Sequence, residues 1–296
     1  HQTASSSHIH EPVLLYSAAS HYSIDKLRDC LEINTPESLG NTYYPGQCPL
    51  TQHLTGTLEG AWPAKIPTHI DGRIQVDALV PIAHFFASRG HPLILVLTYG
   101  TTFSGVHEDP ARIYRALKDA GCLHQDTYRL EVPHHSNADA AQGNTHTLRY
   151  VLQRRNYACL VDAALGGFYG GYFSQDDAPR RAATAAALGV SETDLPRLPS
   201  FGFDVGKNDD PEGVGAVMAI TMSGHKQCGA PWPTGVYMTL RRFQLDYHAI
   251  SYIAAKDTTP AGSRNGTSPL LLWSALATHT DAQRAGAYMR QAQLAR

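Results

Sequence analysis

Thr221-Met222-Ser223-Gly224-His225-Lys226 sets an amine between an apolar run and the turn Gln227-Cys228-Gly229-Ala230-Pro231-Trp232-Pro233. Flanked in this way, Lys226 does not read as a solvated surface lysine. A lysine amine at its free pKa is a poor nucleophile, so a site that uses one must shift its pKa or keep it as an imine. Asp162 follows the apolar run Ala158-Cys159-Leu160-Val161 and precedes Ala163 and Ala164. On its own it is either a ligand-facing carboxylate or a strand-end helix cap. Thr101 and Thr102 come just after another apolar run, Pro92 to Thr98, and one of the two hydroxyls is expected to contact a ligand.

These residues need a scaffold that brings them together. Val13-Leu14-Leu15-Tyr16 reads as a short buried strand. Ser23 to Leu31 reads as a helix with Ile24, Leu27 and Leu31 on one face and Ser23 as its N-cap. Asp77 to Ser88 is a second helix, and Asp109 to Ala120 a third, stopped by Gly121. The near-continuous apolar run Pro92 to Thr98 predicts a parallel strand covered on both faces. Ala158 to Val161, Val214 to Thr221 and Val236 to Leu240 read as further strands. Strands alternating with helices indicate α/β architecture, in which ligands gather outside the carboxyl ends of the strands. Thr101, Asp162 and Lys226 all fall there. Asn34 to Pro67, and Ala178 to Gly213 with its Ala-rich helix Arg180 to Leu188, read as surface excursions. Asp126 to Arg149 is polar and ambiguous, and no internal repeat is visible.

Composition narrows the function classes. With 296 residues, 43% of them hydrophobic, the chain can bury a sizeable core. A formal net charge of -2 gives no electrostatic case for nucleic acid or anionic membrane. No apolar run reaches the length of a membrane span, and His1 to His10 is polar, unlike a signal peptide. The 5 cysteines form no Cys-x-x-Cys pair, which points to a reducing, cytoplasmic compartment and away from a zinc site or disulfide framework. Among 16 histidines, His134-His135 is the tightest pair. It has no carboxylate or third histidine at ligand spacing, so no metal is expected.

Several short pieces, in order, carry a resemblance. They are Ser20-His21-Tyr22-Ser23-Ile24, Asp71-Gly72-Arg73-Ile74, Tyr99-Gly100-Thr101-Thr102-Phe103-Ser104-Gly105, Val161-Asp162-Ala163-Ala164-Leu165, the Ser223 to Lys226 run, and Asp257 to Gly266. Together they resemble the group II pyridoxal-phosphate (PLP)-dependent amino-acid decarboxylases, in the histidine and serine decarboxylase branch, from about Leu14 to Leu276. The resemblance implies the large domain of the type I, aspartate-aminotransferase-like fold: a mostly parallel seven-stranded sheet between helices. It also implies a homodimer whose active sites are shared between subunits.

The same resemblance assigns roles. Lys226 carries the cofactor as an imine. Asp162 holds the pyridine nitrogen protonated, Ala164 packs under the ring, and His21 stacks on it and could donate a proton. Ser223 and His225 resemble phosphate anchors, and Thr101 or Thr102 contacts the cofactor or the substrate carboxylate. Arg264 is taken as structural or interface-forming. The implied reaction is decarboxylation of an L-amino acid, histidine decarboxylase-like. Another PLP reaction on the same scaffold, such as decarboxylative aldehyde formation or carbon–carbon lysis, stays open, as does a non-catalytic partner subunit. The family's Gly-rich phosphate loop, which precedes the Ser-His-Tyr motif, has no counterpart here. Residues 1–270 are therefore expected to be a large domain lacking its N-terminal part, and 271–296 a connecting helix toward an absent small domain.

Overall fold

The computed structural model of the chain describes residues 11–50, 60–134, 146–210, 213–244, 249–250, 255–256 and 265–294; for 126–134, 146–154, 249–250 and 255–256 it describes the backbone alone. The strands of interest are β1 (Val13–Tyr16), β2 (Leu93–Thr98), β3 (Gln125–His134), β4 (His146–Arg155), β5 (Tyr157–Asp162), β6 (Ala219–Ser223) and β7 (Gly235–Thr239). The main sheet runs β1-β2-β5-β6-β7. Its first four strands are parallel and β7 is antiparallel to β6. This is a mostly parallel α/β sheet, with five strands among the described residues where the resemblance implies seven.

Parallel neighbours need crossovers, and helices supply them. Val76–Ala87 lies between β1 and β2, Pro110–Asp119 between β2 and β5, and Ala178–Leu188 between β5 and β6. Their ends follow local chemistry. Asp109 and Asp177 accept the N–H groups of Arg112 and Arg180, with a proline in each first turn. Gly121 and Gly189 take the left-handed conformation that closes each helix (φ 70° and 67°). Because neighbouring strand residues face opposite ways, Val13, Leu15, Leu93, Leu95 and Leu97 enter the main core. Leu14, Tyr16 and Val96 instead form a smaller cluster with Ile24 of helix Ser23–Leu31.

Several expectations change. The second sheet face is only partly covered, since Ala158 of β5 is exposed and Ile94 and Leu160 are half-buried. Helix Ser23–Leu31 buries Ile24 but leaves Leu27 52% and Leu31 63% exposed, and its N-cap is Tyr22 rather than Ser23. β6 begins at Ala219, because Val214 to Met218 is a buried connection hydrogen-bonded to Val205 and Cys159. The segments read as surface excursions feed the core. Leu39, Leu50, Trp62 and Ile66 come from the first, and Ala185, Leu195, Leu198 and Val205 from the second. Within the second, Arg181 is buried and donates to the carbonyls of Phe173, Glu192, Leu195 and Pro196, holding the following loop on its helix. Within the ambiguous stretch, 126–134 and 146–149 lie in the antiparallel pair β3–β4. A boundary at 270 falls inside helix Thr267–Ala277. A separate helix, Asp281–Leu294, packs back on the core through Ala285 and Tyr288, with the Tyr288 ring stacked 3.8 Å from that of Tyr169.

Candidate active site

The parallel direction of β1, β2, β5 and β6 brings Tyr16, Thr98, Asp162 and Ser223 to one edge of the sheet. Register makes two of these neighbourhoods explicit. Asp162 is the lateral partner of Thr98 on β2 and of Thr221 on β6. Buried hydroxyls then bring in the His21 loop: Ser20 Oγ lies 3.0 Å from Thr98 Oγ1 and 3.2 Å from Ser17 Oγ. His21 follows at once, half-buried, with Nδ1 2.8 Å from Ser23 Oγ, which leaves Nε2 for another group. Ser17, Ser20 and Thr98 escaped the sequence reading. Ser20 stood inside a quoted motif, but its partner is 78 residues away in the chain.

Asp162 is buried at 6% exposure, and its Oδ1 accepts the Ala164 N–H at 3.1 Å. The loop it starts is fixed by Tyr99, the residue after β2. Tyr99 N–H donates to the Asp162 carbonyl, Gly166 N–H donates to the Tyr99 carbonyl, and the buried Tyr99 hydroxyl donates to the Pro199 carbonyl at 2.8 Å. A Cβ on Gly166 would lie 2.5 Å from Tyr99 Cδ1 and 2.6 Å from its carbonyl oxygen. Gly166→Ala must therefore push this junction apart. We expect a loss of about 1–3 kcal/mol, the usual range for overpacking, read as a lowered midpoint in denaturant unfolding; an unchanged midpoint would show that the junction is soft.

The two threonines separate. Thr101 is buried, its hydroxyl lies 2.7 Å from Ser104 Oγ and it accepts the Val106 N–H, so it is committed to its own turn. Thr102 is exposed at the sheet edge. Lys226 sits in the connection from β6 to β7, pinned by Gly224 N–H to the Thr234 carbonyl and Ala230 N–H to the Gly224 carbonyl. Against the sequence reading, its side chain is exposed; it lines a cavity of about 270 Å³ with Phe168, Tyr169, Cys228, Arg284 and Tyr288. Phe168 and Tyr169 belong to the short helix Gly167–Gly170 that follows the Asp162 loop, so that helix and the lysine turn share a wall. His225 Nδ1 lies between the N–H (3.2 Å) and the carbonyl (3.1 Å) of Thr234, which leaves Nε2 for an incoming group. Ser223 N–H donates to the Ala164 carbonyl, joining the lysine turn to the Asp162 loop.

Beside these residues, two buried titratable groups depart from their ordinary values. Burial, helped by the Arg73 charge, pushes the His107 imidazole down to about 4, and its Nε2 is 2.9 Å from the Tyr169 hydroxyl. Burial pushes the Glu108 carboxyl up to about 7. Arg264 and residues 257–263 lie outside the described residues, as does His135; for His134 only the backbone is described. Among the described residues no cluster of three His, Cys, Asp or Glu could hold a metal ion, and no helix is long and apolar enough to cross a membrane.

Against known proteins, no family model matches the chain. It is 42% identical over 277 residues to the histidine decarboxylase of Pseudomonas entomophila (strain L48), covering 91% of this chain and 44% of that protein. It is 24% identical over 269 residues to the histidine decarboxylase of Vibrio campbellii, covering 90% of this chain and 46% of that one. Among solved structures, L-methionine decarboxylase from Streptomyces sp.590 superposes with a TM-score of 0.74 at 33% identity, covering 93% of this chain and 52% of that chain. The chain has the type I PLP-dependent transferase fold. It spans less than half the length of the two histidine decarboxylases and about half of the solved chain. In this fold the carboxyl edge that gathers His21, Asp162 and Lys226 is the edge where a ligand is expected.

Proposed function

We propose that this chain binds PLP through Lys226 and belongs to a protein that decarboxylates an L-amino acid to its amine. The observation that carries the reading is that a buried carboxylate, a half-buried histidine and a lysine turn all lie at or just after the carboxyl ends of strands of one parallel sheet. Similarity to named decarboxylases over more than nine-tenths of the chain supports it.

The donor set fits the cofactor. Lys226 Nζ suits its aldehyde carbon. Asp162, with Oδ1 on the Ala164 N–H, has Oδ2 for the pyridine nitrogen. Ser223 and His225 Nε2 would suit phosphate oxygens, and His21 and Ala164 would suit the cofactor ring. Gly224 packs against Thr234, whose buried Oγ1 has no hydrogen-bond partner, so the turn has no room for a side chain there. When bound, the cofactor supplies the sink for the electrons left as CO2 departs. Asp162 keeps the ring nitrogen's proton in place, because a buried carboxylate beside a cation favours the charged pair. Lys226 Nζ would hold the cofactor, its amine being the group suited to join the cofactor aldehyde. Thr102, exposed where Thr101 is not, is the hydroxyl assigned to the substrate carboxylate.

The substrate assigned is a small polar amino acid, histidine first, on the strength of the 42% identical relative. We assign a homodimer as well. Trp232, Tyr237, Leu270 and Trp273 are exposed at 55%, 66%, 60% and 66%, large apolar side chains that a second subunit could cover. The test is to screen the full-length protein with PLP against the twenty amino acids for CO2 and amine. Histidine is expected to give histamine. Methionine as the preferred substrate would move the assignment to the solved neighbour's specificity. Aldehyde and ammonia in place of amine would identify a different PLP reaction, and no product from any amino acid would favour a non-catalytic subunit.

A further inference from the structure

Glu108 has no part in the chemistry above, yet it is buried at 4% exposure beside the site. Its N–H donates to the Thr98 carbonyl, at the end of β2. Its carboxyl accepts the buried Ile74 N–H at 2.9 Å. Ile74 belongs to a tight hairpin. Thr68 and Ile74 pair as an antiparallel bridge, His69 N–H donates to the Arg73 carbonyl, and Gln75 N–H donates to the Pro67 carbonyl. Its tip, Gly72, takes φ 92°, a conformation that suits glycine.

That tip lies beside Ser104, and the residue before the hairpin, Ile66, is joined to the Ser17–Ser20 loop by the Ala18 N–H to Ile66 carbonyl bond. A Cβ on Gly72 would lie 2.6 Å from Ser104 Oγ and 3.9 Å from Ala19 Cβ. Ser104 is the hydrogen-bond partner of Thr101, and Ala19 lies in the Ser17–Ser20 loop that delivers His21. The hairpin thus abuts the turn that carries Thr101–Thr102, and through Ile66 it is joined to the loop that carries His21. Glu108 provides its side-chain tie to the sheet.

We propose that Glu108 is a positioning residue whose protonated carboxyl clamps the 67–75 hairpin onto these loops, and that loss of the proton loosens the clamp. The link to cofactor binding rests on the function proposed above; the clamp itself does not. Burial disfavours the carboxylate here more than the Ile74 N–H favours it. The other charges facing it are Asp71 and Arg73 on the hairpin and Arg112 on helix Pro110–Asp119. Asp71 raises the carboxyl, and the two arginines lower it. His69, Asp109 and Arg197 line the same cleft of about 380 Å³. His107, also in that cleft, is held uncharged above about 4.

The sign follows from linkage. The clamped state holds its proton up to about 7, whereas an opened, hydrated carboxyl releases it near the ordinary 4.5. Closure is therefore full below that lower value, weakens as pH rises between the two, and levels off above the upper one.

The experiment is hydrogen exchange at Ile74 in the full-length protein from about pH 5 to about pH 8, corrected for intrinsic exchange, with PLP affinity measured over the same range. In the wild type, Ile74 protection is expected to fall on the order of 10- to 100-fold across that window, with PLP affinity falling alongside. Glu108→Gln, isosteric and unable to ionise, should make both profiles flat. His69→Gln, with Glu108 intact, should keep the wild-type profiles. Equal profiles in wild type and Glu108→Gln, or flat protection in the wild type, would overturn the clamp. Ile74 protection that shifts while PLP affinity does not would overturn the positioning role. Wild-type protein that takes up no PLP at any pH would instead refute the cofactor reading, and the exchange profiles alone would then decide the clamp.

Discussion

Lys226→Ala is expected to abolish covalent cofactor attachment and lower turnover by several orders of magnitude, because in the proposed function this amine both holds the cofactor and exchanges with substrate and product. Lys226→Arg is the sharper form of the same prediction. It keeps the positive charge and much of the length but cannot form an imine, so it should be as inactive as alanine. Neither change should disturb the fold. Lys226 is exposed and its turn is held by backbone bonds from Gly224 and Ala230 that do not involve the side chain. Borohydride reduction of the wild type followed by peptide mapping should place the pyridoxyl group on Lys226. A label on Lys207 or Lys256 would overturn the assignment, and an active arginine variant would mean that the lysine supplies only charge.

The second large effect is expected at Asp162. Asp162→Asn should leave PLP bound but cut the rate roughly 10²-fold or more, since a neutral pyridine is a poor electron sink. The structure makes this substitution clean. The oxygen that accepts the Ala164 N–H has an equivalent in the asparagine amide, so the strand-end turn keeps its hydrogen bond. Thermal stability should therefore stay near that of the wild type while kcat falls, measured at saturating cofactor. Near-normal kcat would return Asp162 to the role of a strand-end cap. A parallel loss of stability and activity would show that its charge serves the fold.

The difference between what the chain announces and what its fold adds follows the range of the interactions. β1, β2 and β5 were legible because a run such as Leu93–Thr98 carries its burial in consecutive residues, and Asp109, Gly121 and Gly189 mark helix ends by local chemistry. The Ser223 to Lys226 run and Asp162 were legible for the same reason: residue type and immediate flanks singled them out. The sequence also pointed to the sheet edge on which they meet, because strands alternating with helices imply parallel pairing.

Other features depended on partners far away in the chain. Leu39, Trp62 and Leu198 lie in Gly- and Pro-rich stretches with no regular apolar period, and only packing against other elements buries them. Leu27 and Leu31 failed in the opposite sense: their helical spacing is correct, but nothing among the described residues covers that face. The sequence left Thr101 and Thr102 equivalent. The turn back to Val106 and the contact with Ser104 buried one hydroxyl and exposed the other. Ser20 meets Thr98, and Glu108 meets Ile74, only because β1 and β2 are paired and the 67–75 hairpin folds over their ends. Sequence by itself singled out the candidate residues and the strands that precede them, since both are written in short stretches of chain. Tertiary structure decided which polar groups are buried together, and so which are positioned and which are free to meet a ligand, because burial and hydrogen bonding across a sheet edge depend on contacts that no local pattern encodes.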